Sequence, residues 1–304
     1  MNKVLVTGGC GFIGSHLVER LLDDGNKVVV IDNMSVGSKK NLPVHKNLTV
    51  VVADILDNIG YLFKDIDTVY HLAAMTRPQI SILEPLESDT INVHGTLKVL
   101  KHCHDNKVER VLFVSSSSLY GTPETLPTPE NETVRALAPY GVQKYIGEEY
   151  CWLFARMYDM KINCVRPFNV YGYRQSPLGG YAAAVPKFIE ALSNNKPGNI
   201  TGDGEQTRDF VYVDDVVDLI IRASITPYTG ESFNVGSGKN VSINYLYEAI
   251  GKIMGKDITP VYIDPVFEPP TTLADISKSM ALLDWKPKFT LEDGLAITIK
   301  ETLK

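Results

Sequence analysis

Of the fifteen tyrosines in the chain, only Tyr140 is followed four residues later by a lysine, Lys144. On a helix that spacing puts both side chains on one face. A phenol with an unperturbed pKa near ~10 is a poor base at neutral pH, and a neighbouring ammonium favours the phenolate. The pair is thus suited to exchanging a proton with a substrate hydroxyl. Taken alone it reads better as a surface Tyr–Lys contact, since fifteen tyrosines give on the order of one such pair by chance. What raises its weight is the hydroxyl run Ser115-Ser116-Ser117-Ser118 upstream, which follows directly on the apolar stretch Arg110–Val114. Hydroxyls there sit at the C-terminal edge of a sheet, where open α/β sheets bind ligands.

A second chemistry is written near the start. The run Lys3–Thr7 leads straight into Gly8-Gly9-Cys10-Gly11-Phe12-Ile13-Gly14. Glycines between a buried strand and a helix let the backbone turn tightly and let a pyrophosphate approach the helix N-terminus, where free N–H groups and the dipole favour negative charge. The next apolar run ends in Asp32, a carboxylate placed to accept both ribose hydroxyls of an adenosine. This combination favours dinucleotide binding over a turn that merely packs. Asp32 would also repel a 2′-phosphate, so NAD is expected rather than NADP.

These residues need a particular scaffold. Lys3–Thr7, Lys27–Asp32, Leu48–Ala53, Thr68–Leu72, Arg110–Ser115 and Lys161–Arg166 are short, nearly continuous apolar runs, the pattern of parallel strands buried on both faces. Helical patterns alternate with them at Phe12–Leu22, Ser88–Cys103 and Pro139–Tyr158, which predicts an α/β doubly wound parallel sheet. Beyond Arg166 the pattern loosens. Helices are expected over Tyr181–Asn194, Asp214–Ser224, Ser242–Met254 and Leu291–Leu303, and 264–274, with Pro265, Pro269 and Pro270, reads as a loop. The expected boundary divides the chain into 1–166 and 167–304, with some chain crossing back to the first part.

Composition removes other classes. Thirty basic against thirty-six acidic residues leave a charge of −6, the wrong sign for a nucleic-acid or anionic-membrane surface. Four irregularly spaced cysteines give neither a disulfide framework nor a zinc site. No metal site is expected: His94, His102 and His104 are spaced to point to different helix faces. Asp214, Asp215 and Asp218 are expected to complement a helix dipole rather than bind a cation. With no signal-peptide pattern and no long apolar span, the protein is expected in the cytoplasm.

The ordered motifs Thr7 to Gly14, Asp32-Asn33, Ala53-Asp54, His71-Leu72-Ala73-Ala74, Asn92-Val93-x-Gly95-Thr96, the serine run ending in Tyr120-Gly121, Pro139-Tyr140-x-x-x-Lys144, Arg166 to Gly172, Gly202 to Phe210, Val213-Asp214-Asp215-Val216 and Ala274-Asp275-x-Ser277-Lys278 span nearly the whole chain. Together they resemble the extended short-chain dehydrogenase/reductase superfamily and, within it, the NAD-dependent sugar epimerase/dehydratase group, most closely its UDP-glucose (UDP-galactose) 4-epimerase branch. The resemblance implies a Rossmann-type NAD domain and a smaller mixed α/β C-terminal domain over a nucleotide sugar. It implies that Tyr140 is the acid/base, with Lys144 beside the nicotinamide ribose, and that Ser116, with Ser117 next, assists at the sugar oxygen. Gly8, Gly11, Phe12, Ile13, Gly14, Asp32, Asn33, Asp54, Ile55, Leu72, Ala73 and Ala74 would line the cofactor, with Asp54 at the adenine amine. Asn169 and Arg208 would grip the substrate diphosphate; the plainer reading of Arg208 is an ion pair with Asp209 or Asp214.

Between Ser116 and Tyr120 the chain carries Ser117, Ser118 and Leu119, where dehydratases of the group carry a carboxylate. Elimination needs such a group, so epimerisation through a transient 4-keto sugar comes first, ahead of dehydratase, decarboxylase or reductase chemistry. A non-catalytic NAD-binding protein is the remaining alternative. Two positions bear on the substrate. Pro265 stands where many relatives have an arginine for the diphosphate, and Thr272 stands where bulk decides whether an N-acetyl group fits. The resemblance implies UDP-hexose substrates and a homodimer paired through the helices near 88–103 and 139–158, and the small residue at 272 extends the expectation to N-acetylated hexoses.

Overall fold

The computed structural model describes residues 2–177 and 183–304. Six strands of the first half follow the sequence pattern: β1 (Lys3–Thr7), β2 (Lys27–Asp32), β3 (Leu48–Val52), β4 (Thr68–His71), β5 (Arg110–Val114) and β6 (Lys161–Pro167). Shorter strands follow, namely β7 (Asn169–Tyr171), β8 (Asn199–Thr201), β9 (Thr207–Arg208), β10 (Phe210–Tyr212), β11 (Ser232–Val235), β12 (Val241–Ser242) and β13 (Val261–Ile263). The helices are α1 (Phe12–Asp23), α2 (Pro78–Leu83), α3 (Pro85–Asp89), α4 (Gly95–Asp105), α5 (Pro139–Tyr158), α6 (Ala184–Ser193), α7 (Val213–Ile225), α8 (Ile243–Met254), α9 (Ser277–Leu283) and α10 (Leu291–Thr302).

The central sheet has seven parallel strands in the order β11-β6-β5-β4-β1-β2-β3. Strand order reverses between β1 and β4, so their C-terminal ends diverge into a crevice, the usual ligand position in a doubly wound sheet. The apolar runs are continuous because both faces are covered. Val4 and Val6 join the core beneath α1 and α7, while Leu5 between them joins the core beneath α4 and α5. This is the Rossmann-type arrangement expected from the sequence.

Residues beyond Arg166 do two things. β11 completes the central sheet beside β6, and α7 packs on the sheet through Val216, Leu219 and Ile220. The rest builds a separate core in which Phe188, Ile189, Tyr212, Leu246, Ile250 and Leu295 meet. Where β6 meets β11, a buried ion pair joins Arg166 Nη2 to Glu148 Oε2 of α5 at 2.7 Å, and Ser232 Oγ donates to the same oxygen at 2.9 Å. Burial is tolerated because the guanidinium also donates from Nη1 to Tyr120 Oη and the Glu130 carbonyl.

Three local expectations change. The single helix over Ser88–Cys103 is interrupted by a π-turn at Thr90–His94, whose extra residue turns the Asn92 side chain into the protein, where it pairs with Met75 and Gln143. The helix expected over Tyr181–Asn194 is seen from Ala184, with Ala183 extended before it, and the expected start at Tyr181 lies outside the described residues. Asp214 and Asp215 do open α7, but Asp215 accepts the Lys288 and Phe289 N–H groups and Asp218, a turn further on, is 2.9 Å from Arg222 and 3.4 Å from Lys288.

Candidate active site

The glycine turn closes at the diverging end of β1. Gly8 has φ +71°, and a Cβ there would lie 2.8 Å from the Ala73 nitrogen; one at Gly14 would lie 2.2 Å from the Gly8 carbonyl oxygen. Both positions therefore require glycine. Gly11 caps α1 without a side chain, and its first turn carries no acidic residue, so the N–H groups of Phe12, Ile13 and Gly14 have no helical acceptor. The cradle thus has the form that a dinucleotide diphosphate requires.

Asp32 ends β2 with Oδ2 accepting the Cys10 N–H and Oδ1 accepting the Met34 N–H, each at 2.9 Å. Next to it Asn33 Nδ2 donates to Asp54 Oδ2 at 2.7 Å, and Ile55 is buried beneath them. Across the crevice Leu72 and Ala73 donate their N–H groups to Thr7 Oγ1, each at 3.2 Å. Residues far apart in the chain thus form one continuous rim.

The reacting groups lie at the end of β5. Ser116 opens a single 3₁₀ turn containing Ser117, and its Oγ accepts the Ser118 N–H at 3.1 Å. Tyr140, in the first turn of α5, brings its phenol to the Ser116 side chain, whose Oγ donates to Ser118 Oγ at 3.0 Å. The N-terminus of α5 approaches so closely that a Cβ at Gly141 would be 2.6 Å from the Ser118 carbonyl oxygen. Ser81 of α2 fixes the approach by accepting the Tyr140 N–H at 3.0 Å. Lys144 lies one turn on, its Nζ donating to the Val114 carbonyl at 2.8 Å and standing 4.8 Å from the Phe113 ring centroid.

The titration of the pair corrects the expectation from spacing. Burial pushes the Tyr140 phenol up to about 12, and the Ser116 hydroxyl opposes it. Burial also brings Lys144 down to about 8. The ammonium is turned to a carbonyl and lies 5.9 Å from the Tyr140 ring centroid, so burial outweighs any charge assistance.

The residues expected at the substrate also converge. Asn169 Nδ2 donates to Thr272 Oγ1 at 3.1 Å, and Thr272 N donates to the Thr207 carbonyl at 3.1 Å. Arg208 is 7 % exposed; Nη1 donates to the Thr207 carbonyl at 2.8 Å, and Nη2 lies 2.9 Å from Glu268 Oε2. Its partner is therefore neither Asp209 nor Asp214. Asp209 accepts N–H groups of Ser237, Gly238 and Ala274, and Asp214 faces His16 at 3.5 Å. Leu119, Tyr120, Phe168 and Ala274 form one buried cluster, with Tyr145 of α5 against it, and so bring this patch to the serine turn.

Ser81, Glu268 and the Val114 carbonyl were not legible as site groups. Pro78 at the start of α2 and the acid in Pro265-Val266-Phe267-Glu268 were the available signals for the first two.

Residues 4–236 match the model of the NAD dependent epimerase/dehydratase family. A UDP-glucose 4-epimerase of Mycolicibacterium smegmatis is 38% identical over 312 residues, covering 98% of this chain and 97% of its own. Among solved structures, a UDP-N-acetylglucosamine 4-epimerase from Methanobrevibacter ruminantium, in complex with UDP-N-acetylmuramic acid, superposes with a TM-score of 0.96 at 39% identity, covering 99% and 98% of the two chains. A UDP-glucuronic acid 4-epimerase from Bacillus cereus, in complex with UDP-glucuronic acid and NAD, gives 0.92 at 35% identity over 99% of each chain. With the glycine cradle, the serine turn and the Tyr140–Lys144 face on one sheet edge, the chain belongs to the NAD dependent epimerase/dehydratase family, and its cofactor is NAD.

Proposed function

We propose that the protein is an NAD-dependent nucleotide-sugar 4-epimerase acting on UDP-hexoses, with UDP-glucose and UDP-galactose as its basic pair. The observation that carries this is the packing of the Tyr140–Lys144 face of α5 against the Ser116–Ser118 turn at the sheet edge, with no carboxylate between Ser116 and Tyr120 to drive elimination. The glycine cradle from Gly8 to Gly14 holds the cofactor diphosphate, Asp32 and Asn33 meet the adenosine ribose, and Asp54 and Ile55 flank the adenine. Leu72 to Ala74 and Lys144 bound the nicotinamide half. Bound NAD supplies reversible hydride exchange with the sugar carbon.

Tyr140 takes the proton of the sugar 4-hydroxyl and returns it after the keto sugar has presented its other face, while Ser116, aided by Ser117, holds the oxygen. Net charge and proton count are unchanged over the cycle. Arg208 and Asn169 hold the diphosphate, for which a guanidinium fork is suited.

Thr272 supports a second substrate class. Its small side chain leaves room for an N-acetyl group, and the Methanobrevibacter relative is a UDP-N-acetylglucosamine 4-epimerase. The exposed apolar residues Val142, Leu153 and Met157 on α5 support a homodimer paired through the 139–158 helix; the segment 88–103, the second helix expected in the pairing, exposes no large apolar residue, and Ile82, Leu83 and Leu86 of α2 and α3 are the exposed ones ahead of it in the chain. Among the described residues no helix is long and apolar enough to cross a membrane, and a cytoplasmic setting completes the reading. NMR of products formed from UDP-, dTDP- and GDP-hexoses tests it: C4 inversion of a UDP-hexose is expected, and a dehydrated, decarboxylated or unchanged product from every sugar overturns it.

A further inference from the structure

His71 ends β4 at the floor of the crevice and is 1 % exposed, and none of the roles above uses it. Its Nδ1 lies 2.7 Å from Thr7 Oγ1 and its Nε2 lies 3.0 Å from Thr96 Oγ1. Donor accounting leaves one arrangement. The Thr96 hydroxyl has a single proton, which goes to the Asn92 carbonyl at 2.6 Å, so toward His71 it accepts, and the ring carries its hydrogen on Nε2. Burial and the Lys144 charge lower the His71 pKa to about 3, so the ring is neutral and Nδ1 accepts. The Thr7 proton goes there. Both remaining Thr7 lone pairs then face the N–H groups of Leu72 and Ala73, each at 3.2 Å; the Leu72 N–H is shared with the Thr7 carbonyl at 3.1 Å, while the Ala73 N–H goes to the hydroxyl.

The chain of bonds extends beyond the crevice. Asn92, whose carbonyl anchors Thr96, accepts the Met75 N–H and donates to the Met75 carbonyl and to Gln143 Oε1. Gln143 lies between Tyr140 and Lys144 on α5 and donates to Ser88. One polar network therefore links the glycine turn, the Leu72–Met75 rim, the π-turn and the helix bearing the reacting tyrosine. Such a network specifies a single arrangement when every member is satisfied.

We propose that His71, in its Nε2–H tautomer, is a positioning residue for the cofactor: it aims the Thr7 hydroxyl so that the Leu72–Ala73 backbone is clamped to the Gly8 turn, fixing the width of the crevice. The contact it controls is tight, since a Cβ on Gly8 would already lie 2.8 Å from the Ala73 nitrogen. The inference rests on the placement of NAD in this cradle.

The test measures NAD and UDP dissociation constants of the full chain by calorimetry, with thermal midpoints alongside. Thr7→Val, which keeps the shape and loses the hydroxyl, and His71→Phe are each expected to weaken NAD roughly tenfold while leaving UDP within about twofold. Thr7→Ser and His71→Asn, which keep a hydroxyl and an acceptor in place, are expected to stay within about threefold of the parent for NAD. Unchanged NAD affinity in Thr7→Val, or equal losses for NAD and UDP, overturns the proposal. Should His71→Phe fail to fold, the Thr7→Val and Thr7→Ser pair decides. Asp32→Ala separates the two levels: if it leaves NAD affinity intact the cofactor placement is wrong, and if it weakens NAD while Thr7→Val does not, only the role of His71 falls.

Discussion

Lys144 and Val114 are joined by a 2.8 Å hydrogen bond from ammonium to backbone carbonyl, which places a positive charge inside the protein behind the reacting tyrosine. The charge is there against a solvation cost, shown by the fall of the lysine to about 8. Unfolded lysine titrates near ~10.4, so between these values the unfolded chain holds a proton that the folded chain has released. The penalty is full at neutral pH and fades as pH rises through this window. Lys144→Met is therefore expected to be inactive yet more stable at pH 7 by about 1–3 kcal/mol, the carbonyl bond being a partial offset. Urea titrations at pH 7 and above 9 check it; a gain that does not shrink with pH, or a loss at pH 7, refutes it.

Tyr140→Phe is expected to reduce turnover by roughly a thousandfold, the range for losing a general acid/base, with NAD and UDP binding preserved. Ser116→Ala is expected to keep part of the activity. The Ser116 hydroxyl lowers the phenol pKa, which burial has raised to about 12, and Tyr140 takes a proton only as the phenolate, so removing Ser116 moves the limb on which kcat rises with pH to higher pH. A limb that stays in place or moves to lower pH counts against the proposed pairing.

Much of this arrangement was legible in residue types because it depends on local periodicity. Val4, Leu5 and Val6 announce a strand covered on both faces, and glycines at 8, 11 and 14 follow it as a cradle should. The convergence of Asn169, Arg208 and Thr272 came through family resemblance, since no local pattern brings residue 272 to residue 169. What stayed hidden was tertiary. The partner of Lys144 is a backbone carbonyl, which no side-chain spacing reveals, and the direction of the Tyr140 shift depends on burial. The six-residue helix α2, too short to show a period, supplies the Ser81 hydroxyl that holds α5 in place. Glu268 escaped notice because Arg208 had nearer acids in sequence, Asp209 and Asp214, both of which the fold uses elsewhere.

Glu148 has no exposed surface and Arg166 is 3 % exposed at the joint between α5, β6 and β11. Three guanidinium contacts and Ser232 converge on its carboxylate. Glu148→Gln leaves the guanidinium buried without its counter-charge, and a loss of roughly 3–5 kcal/mol is expected. Chemical denaturation measures this; a loss below about 1 kcal/mol, the range of exposed pairs, shows that the pair is solvated in solution.

Arg208→Gln is expected to weaken UDP by roughly 10- to 100-fold, the worth of one or two charge-assisted bonds, and to leave NAD binding unchanged. Pro265 supplies no second cation, so the loss has no nearby substitute. If UDP affinity holds, the Arg208–Glu268 pair is structural and the diphosphate lies elsewhere.

Thr272 tests the breadth of the substrate pocket. Its backbone is fixed by the bond to the Thr207 carbonyl, and its hydroxyl receives Asn169 Nδ2, so a larger side chain must project from a fixed position rather than move the segment. Thr272→Tyr then fills the space assigned to an N-acetyl group. Turnover of UDP-glucose is expected to fall less than tenfold through loss of the Asn169 contact, a bond worth about 1 kcal/mol. Turnover of UDP-N-acetylglucosamine is expected to fall by roughly a hundredfold more, because displacing a packed acyl group is a steric cost without compensation. Thr272→Val separates the two effects, since it removes the hydroxyl and keeps the volume. If both substrates lose equally in Thr272→Tyr, the side chain does not border the sugar, and the N-acetyl reading fails with the parent epimerase reaction still standing.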